Sequence, residues 1–142
     1  MNPSETFLAR VTKSTKDGKN DLNNPYCLAR VKKILHLIEA LRKIKSIYVV
    51  EMVDYYVNVE TGKNTFIFKY FKGMPLFEKI QAMRDEDASL KEEVLISFFA
   101  QMCKGVNELD KLNFTHGNLS LNSFMWDSDS QRQVLLPFSG VN

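Results

Sequence analysis

The chain has 142 residues, of which 44% are hydrophobic and 25% are charged, and its formal net charge is +2. This composition predicts one globular core and excludes wholesale disorder. The positive charge is too small to indicate nucleic acid or an anionic membrane as a partner.

The N-terminal part of the chain predicts a strand, a loop and a long helix. Residues 6–12 have a strand-like pattern, and residues 13–24 are polar and contain a glycine, which indicates a loop. The dipeptide Asn24-Pro25 then supplies an N-cap and a proline at the first helical position. Apolar residues recur at helical spacing from Leu28 to Ile44, so we predict a helix over this range.

Basic residues lie between the apolar positions of this helix. A solvated outer face is the common reason for such a pattern, and a stripe that docks an acidic partner is the alternative. The residues concerned are Lys32, Lys33, His36, Arg42 and Lys43.

The middle of the chain predicts two strands and a short helix. Residues 47–59 and 65–71 are rich in Val, Ile, Tyr and Phe, which favours strands. The segment between them, Glu60 to Asn64, contains a glycine and an asparagine and predicts a hairpin turn. Pro75 begins a short helix that continues to about Met83.

A second long helix, a loop and a small hairpin are predicted in the C-terminal part. Ser89 and Glu92 have the spacing of a capping box at the start of the helix. Residues 113–123 indicate an irregular loop, and the short apolar runs 124–126 and 134–136 predict the hairpin. The helix has a wide apolar face, which suggests burial on more than one side, and its members are Leu95, Phe98, Phe99, Met102, Val106 and Leu109.

The two cysteines and the absence of a long apolar run indicate the cellular compartment of the protein. Cys27 and Cys103 lie far apart within apolar helical patterns, which favours reduced packing residues over a disulfide or metal ligands. No apolar run approaches the ~20 residues that span a bilayer, and the first residues lack the features of a signal peptide. We expect a soluble protein in a reducing, cytoplasmic environment.

Three stretches of the chain resemble eukaryotic protein kinases, in the order that kinases have them. Residues 116–125, His-Gly-Asn-Leu-Ser-Leu-Asn-Ser-Phe-Met, resemble the catalytic loop HRDLxxxNxL. Residues 66–77 resemble the strand and hinge that kinases write as LYIVMEYxxGGDLF. Residues 38–44 and 48–50 resemble the end of the regulatory helix αC and the strand after it. The resemblance extends from about residue 6 to residue 142.

The resemblance implies an α+β fold that is an incomplete protein-kinase-like domain. We expect a partial N-lobe sheet with an αC-like helix, a hinge, and the start of the helical C-lobe. In a single partial domain over 1–142, about residues 6–71 form the N-lobe remnant and residues 72–142 form the start of the C-lobe, through the catalytic loop and the DFG-equivalent.

The resemblance also implies that the catalytic residues are degenerate. Where kinases have the catalytic Asp, the loop Lys and the metal-binding Asn, this chain has Asn118, Ser120 and Ser123. An amide cannot act as a general base near neutral pH, and a serine cannot supply positive charge. His116 is retained, and in the family it serves the structure of the loop. Asn122 would replace the metal ligand only if the loop shifted.

Other parts of the kinase machinery are absent from the sequence. No GxGxxG loop is present, and the segment that matches DFG, residues 136–140, contains no carboxylate. Asp127 and Asp129 fall in the predicted turn of the small hairpin, where aspartate is common for conformational reasons. We expect no metal site.

The family's ion pair between a strand lysine and an αC glutamate is also lost. Ala9 or Arg10 matches the lysine, depending on register, and Arg10 would be a possible phosphate contact. Leu37 matches the glutamate, and Glu39 lies about 200° away from it around the helix.

The hinge is the part that would still hold adenine, because it binds through backbone groups. Phe68 matches the gatekeeper position, and Lys69, Tyr70 and Phe71 match the hinge. We expect no cofactor, while weak binding of ATP and magnesium stays open. The alternative for Phe68 is an ordinary core residue that fills the space of adenine.

The leading hypothesis is a catalytically inactive kinase-like (pseudokinase) module that acts by protein binding or allosteric regulation. The expected partner is another protein, which would bind the helix around Phe98 and Met102 or the basic stripe of Lys32, Lys33 and Lys43. Three alternatives remain. The first is an atypical Ser/Thr kinase that needs a partner chain, and the second is a truncated, non-functional fragment of a kinase gene. The third is an unrelated α+β interaction domain.

Overall fold

A computed structural model gives the structure of the chain and describes residues 7–11, 25–58, 63–86 and 91–137. This part of the chain forms two three-stranded antiparallel sheets and three α-helices, so the α+β class is confirmed. It divides into two compact units. The elements are β1 (Phe7–Val11), α1 (Pro25–Lys43), β2 (Met52–Asn58), β3 (Lys63–Lys69), β4 (Gly73–Pro75), α2 (Leu76–Asp85), α3 (Glu92–Asp110), a 3-10 turn (Leu121–Ser123), β5 (Phe124–Asp127) and β6 (Arg132–Leu135).

The first unit contains β1, α1, β2 and β3. Its sheet has the order β1-β3-β2, with β3 in the centre. Asn58 pairs with Lys63, so β2 and β3 form the predicted hairpin, although residues 59–62 of its turn lie outside the described residues. The predicted loop at residues 13–24 also lies outside them.

The core of the first unit follows from two periodicities. On β3 the side chains of Asn64, Phe66 and Phe68 are buried while their neighbours are not, as a period of two dictates. On α1, Ile38 and Leu41 are buried one helical turn apart. Helix α1 packs on β2, and this placement fixes the helix on the sheet.

The predicted strand at residues 47–59 begins five residues too early. Residues 47–48 form a turn, and the strand starts at Met52. Val49 instead forms a parallel bridge with Leu135, and the Val50 amide donates to the Leu135 carbonyl at 3.0 Å. The apolar residues before Met52 therefore extend a different sheet, which their composition alone could not indicate.

The second unit contains β4 to β6, α2, α3 and the segment Ile44–Val50. The predicted hairpin near the C-terminus is confirmed as β5 and β6, with Phe124 opposite Leu135. The strand β4 was not predicted, and it pairs with the other side of β5. Pro75 is the last residue of β4 and the N-cap of α2, which therefore starts at Leu76.

Helix α3 packs against β6 at a glycine. A Cβ atom on Gly105 would lie 2.9 Å from the Tyr48 carbonyl oxygen and 3.1 Å from the Leu135 Cβ. Only a residue without a side chain lets the helix approach this closely, because larger residues would overlap the strand. Gly105 thereby fixes α3 beside the sheet of the second unit.

Two predictions for α3 are wrong. The helix has Lys91 as its N-cap and no side-chain capping bond, so the predicted capping box does not start it, and Ser89 lies outside the described residues. The helix is also not buried on more than one side: Phe98 and Leu109 are buried, whereas Phe99 is 66% exposed. Cys103 is a free cysteine that lies exposed on this helix rather than packed in a core.

None of the helices in the described part of the chain is long and apolar enough to cross a membrane.

Candidate functional site

The segment between α3 and β5 contains the residues that resemble the kinase catalytic loop. Helix α3 ends at Asp110, and the Asn113 amide donates to the Asp110 carbonyl at 2.8 Å. Asn113 has a φ of 53°, a left-handed conformation that asparagine tolerates better than most residues. Gly117 has a φ of 81°. These two positions turn the chain away from the helix axis and toward β5.

His116 is held by hydrogen bonds on both ring nitrogens. The Asn118 backbone amide donates to Nδ1 at 3.4 Å, so Nδ1 is the acceptor. Nε2 then carries the hydrogen and donates to the Leu136 carbonyl, 3.0 Å away. The half-buried imidazole thus ties the loop to the residue that follows β6.

Ser123, at the position of the metal-binding asparagine, is almost completely buried. It is 2% exposed, and its hydroxyl donates to the Asn118 carbonyl at 3.2 Å. The same oxygen accepts the Ser120 backbone amide at 3.1 Å. The Ser120 side chain accepts the Ser123 amide in return, which completes a capping box around the 3-10 turn. The Ser123 side chain is therefore engaged within the loop.

The residues at the metal-binding position do not fit magnesium. Mg²⁺ prefers carboxylate oxygens in near-octahedral geometry, whereas Ser123 offers one neutral hydroxyl that is already hydrogen-bonded. Asn122, the alternative ligand, is exposed on the 3-10 turn. In the described ranges no group of three or more His, Cys, Asp or Glu side chains could hold a metal ion.

The remaining loop positions are exposed and carry no charge. Asn118 and Ser120, which stand at the catalytic base and loop lysine positions, are both exposed. Asp127 is occupied elsewhere: its carboxylate accepts the amides of Asp129 and Ser130 at 3.0 and 3.4 Å and shapes the turn between β5 and β6. The loop therefore presents the Asn118 amide and the Ser120 hydroxyl where kinases present a carboxylate and an ammonium.

Part of the DFG-equivalent is described. Leu136 is half-buried, and its amide donates to the Ser123 carbonyl at 2.8 Å. Pro137 is buried. Phe138 to Gly140 lie outside the described residues.

The candidate hinge residues lie at and after the end of β3. Phe68 is 1% exposed and fills the core of the first unit. The Lys69 amide donates to the Glu51 carbonyl at 2.9 Å, while the Lys69 side chain is exposed. Tyr70 is exposed and Phe71 is half-buried. An adenine site at these four residues stays a prediction.

The candidates for the lysine and glutamate positions lie on β1 and α1. Arg10 is opposite Phe66 in the sheet, and its side chain lies outside the description. Ala9 is exposed. Leu37 is half-buried and Glu39 is exposed. The αC position that matches the family's glutamate thus holds Leu37, which has no carboxylate.

An apolar groove lies between α3 and the catalytic loop. Its volume is about 850 Å³. The helix contributes Phe99, Met102 and Val106, and the loop side contributes Leu119 and Leu121. Sequence reasoning missed the two leucines, although apolar residues in an otherwise polar loop were a signal for such a surface. Cys103 also lines the groove.

The predicted docking surfaces need one correction. Phe98 is 8% exposed, with its ring 5.4 Å from that of Trp126, so it belongs to the core of the second unit and not to a surface. Phe99 and Met102 are the neighbouring residues that line the groove. In the basic stripe, Lys32 and Lys43 are exposed on α1, and so are Lys33, His36 and Arg42.

A comparison with known protein families identifies the family to which the chain belongs. A family described as "Protein tyrosine and serine/threonine kinase" matches residues 20–134, most of the 142-residue chain. The match includes α1, the hinge segment and the catalytic loop, and it stops before the DFG-equivalent. A search of curated proteins found no match. Because the matched range covers far more than half of the sequence, the chain belongs to the protein tyrosine and serine/threonine kinase family.

Proposed function

We propose that this chain is a catalytically inactive kinase-like module that acts by binding another protein or by allosteric regulation. The observation that carries the proposal is the state of the catalytic loop. Its backbone is held in place by His116 and Ser123, while the base and the positive charge needed for phosphotransfer are missing at Asn118 and Ser120.

Phosphoryl transfer depends on charged side chains that this loop does not have. A phosphoryl transfer enzyme must accept the proton of the substrate hydroxyl and neutralise charge on the transferring group. The Asn118 amide does not accept a proton near neutral pH, and Ser120 carries no charge. Ser123 is turned into the loop, where it binds Asn118 and Ser120 instead of a cation. We therefore propose that the loop now serves as structure.

The groove between α3 and the loop supports the protein-binding part of the proposal. Phe99 and Leu119 line it and remain 66% and 49% exposed. Clustered exposed apolar side chains on a globular protein commonly mark an interaction surface. We propose this groove as the docking surface, with the basic residues Lys32, Lys33 and Lys43 as the second candidate.

The proposed function needs no cofactor. Weak ATP binding at residues 68–71 is a separate prediction, which thermal melts with ATP test. We further propose a reducing, cytoplasmic location and a role that involves neither nucleic acid nor a membrane. These points rest on the composition and the family.

A phosphotransfer assay with ATP, in magnesium and in manganese, tests the proposal. The wild type and Asn118→Asp are compared on serine/threonine and tyrosine substrates and for autophosphorylation. Both are expected to be inactive, because a restored carboxylate still lacks the loop lysine and the metal ligand. Asn107→Asp is the matched control, since it places the same charge at an exposed position on α3, outside the catalytic loop.

Two results would overturn the inactive assignment. One is wild-type phosphotransfer that Asn118→Ala abolishes. The other is activity in Asn118→Asp that Asn107→Asp lacks. Either would favour the alternative, an atypical Ser/Thr kinase that needs a partner chain.

A further inference from the structure

We draw no further inference here: the strongest candidate, the apolar groove between α3 and the catalytic loop, is the surface on which the proposed protein binding already rests, and nothing in the described residues shows what covers it.

Discussion

Ser123 shows how a residue at a catalytic position can come to serve the loop alone. Its hydroxyl joins the Asn118 carbonyl to the Ser120 amide, and the side chain is nearly inaccessible to solvent. A buried backbone group without a hydrogen-bond partner carries a desolvation cost of about 1–3 kcal/mol. One small hydroxyl here pairs with two backbone groups, in hydrogen bonds that are partly buried. This position therefore favours a small side chain that forms hydrogen bonds to the backbone of the loop.

Replacing Ser123 by alanine is expected to destabilise the protein. Both hydrogen bonds of the hydroxyl are lost, so the free energy of unfolding should fall by about 1–2 kcal/mol, as for other lost caps. Urea denaturation measures the change. Asn122→Ala, at the exposed neighbouring position, is the control and should change stability by less than about 0.5 kcal/mol. Equal effects in the two variants would contradict the capping role of Ser123.

Among the elements, β4 depends on a glycine that lies against the neighbouring strand. A Cβ atom on Gly73 would lie 2.2 Å from the carbonyl oxygen of Trp126, a backbone atom of β5. The three residues of β4 pair with β5, and the Lys72 carbonyl accepts the Ser128 amide at 2.9 Å. A side chain at Gly73 would push the two strands apart.

Gly73→Ala should therefore lower the free energy of unfolding by about 3 kcal/mol, the upper part of the range for overpacking. Gly117→Ala is a matched control with the same change of residue. Nothing lies within 4 Å of a Cβ at Gly117, so the cost there is only its left-handed backbone, about 1–2 kcal/mol. Urea denaturation of both variants gives the comparison. A Gly73→Ala protein as stable as Gly117→Ala would show that β4 does not approach β5 so closely.

The sequence predicted the elements that have a clear apolar pattern. Helices α1 and α3 were predicted because their apolar residues repeat at helical spacing, and the hairpin of β5 and β6 because two short apolar runs flank a polar segment. Strand β4, with the sequence Gly-Met-Pro, is too short for such a pattern. Gln133 is the last residue of the polar segment between the two apolar runs, yet it is 1% exposed in β6, because burial there is decided by neighbouring elements.

The candidate site was also predictable only in part. The spacing of residues 116–123 located the loop, since spacing survives the replacement of catalytic side chains. The Ser123 hydroxyl bonds Asn118 and Ser120 within the loop, although the resemblance assigns its position to a metal ligand. The groove depends on contacts between residues far apart in the chain, which local sequence does not encode. Phe98 and Phe99 are adjacent in sequence, but one packs near Trp126 and the other faces the groove.

For the whole molecule, the groove predicts binding of a hydrophobic fluorescent dye. Phe99→Ser should remove most of the dye fluorescence, because Phe99 lines the groove and is 66% exposed. Phe77→Ser is the control, since Phe77 is a similarly exposed phenylalanine, 53%, on α2 and outside the groove. Dye titration of the three proteins gives the comparison. An equal loss of fluorescence in both variants would contradict the groove as the site of dye binding.

Nucleotide binding is a property of the whole molecule that tests the hinge and the metal-binding position separately. A ligand that binds the folded state stabilises it by about 2.7 kcal/mol at a hundredfold excess over its dissociation constant. Thermal melts with ATP, with and without magnesium, therefore report even modest affinity. We expect magnesium to add no shift, because the Ser123 hydroxyl at the metal-binding position is neutral and already hydrogen-bonded. A shift with ATP alone would indicate that the hinge backbone at residues 69–71 still binds adenine. A further rise that requires magnesium would contradict the loss of the metal site, and Ser123→Ala would then show whether that residue contributes.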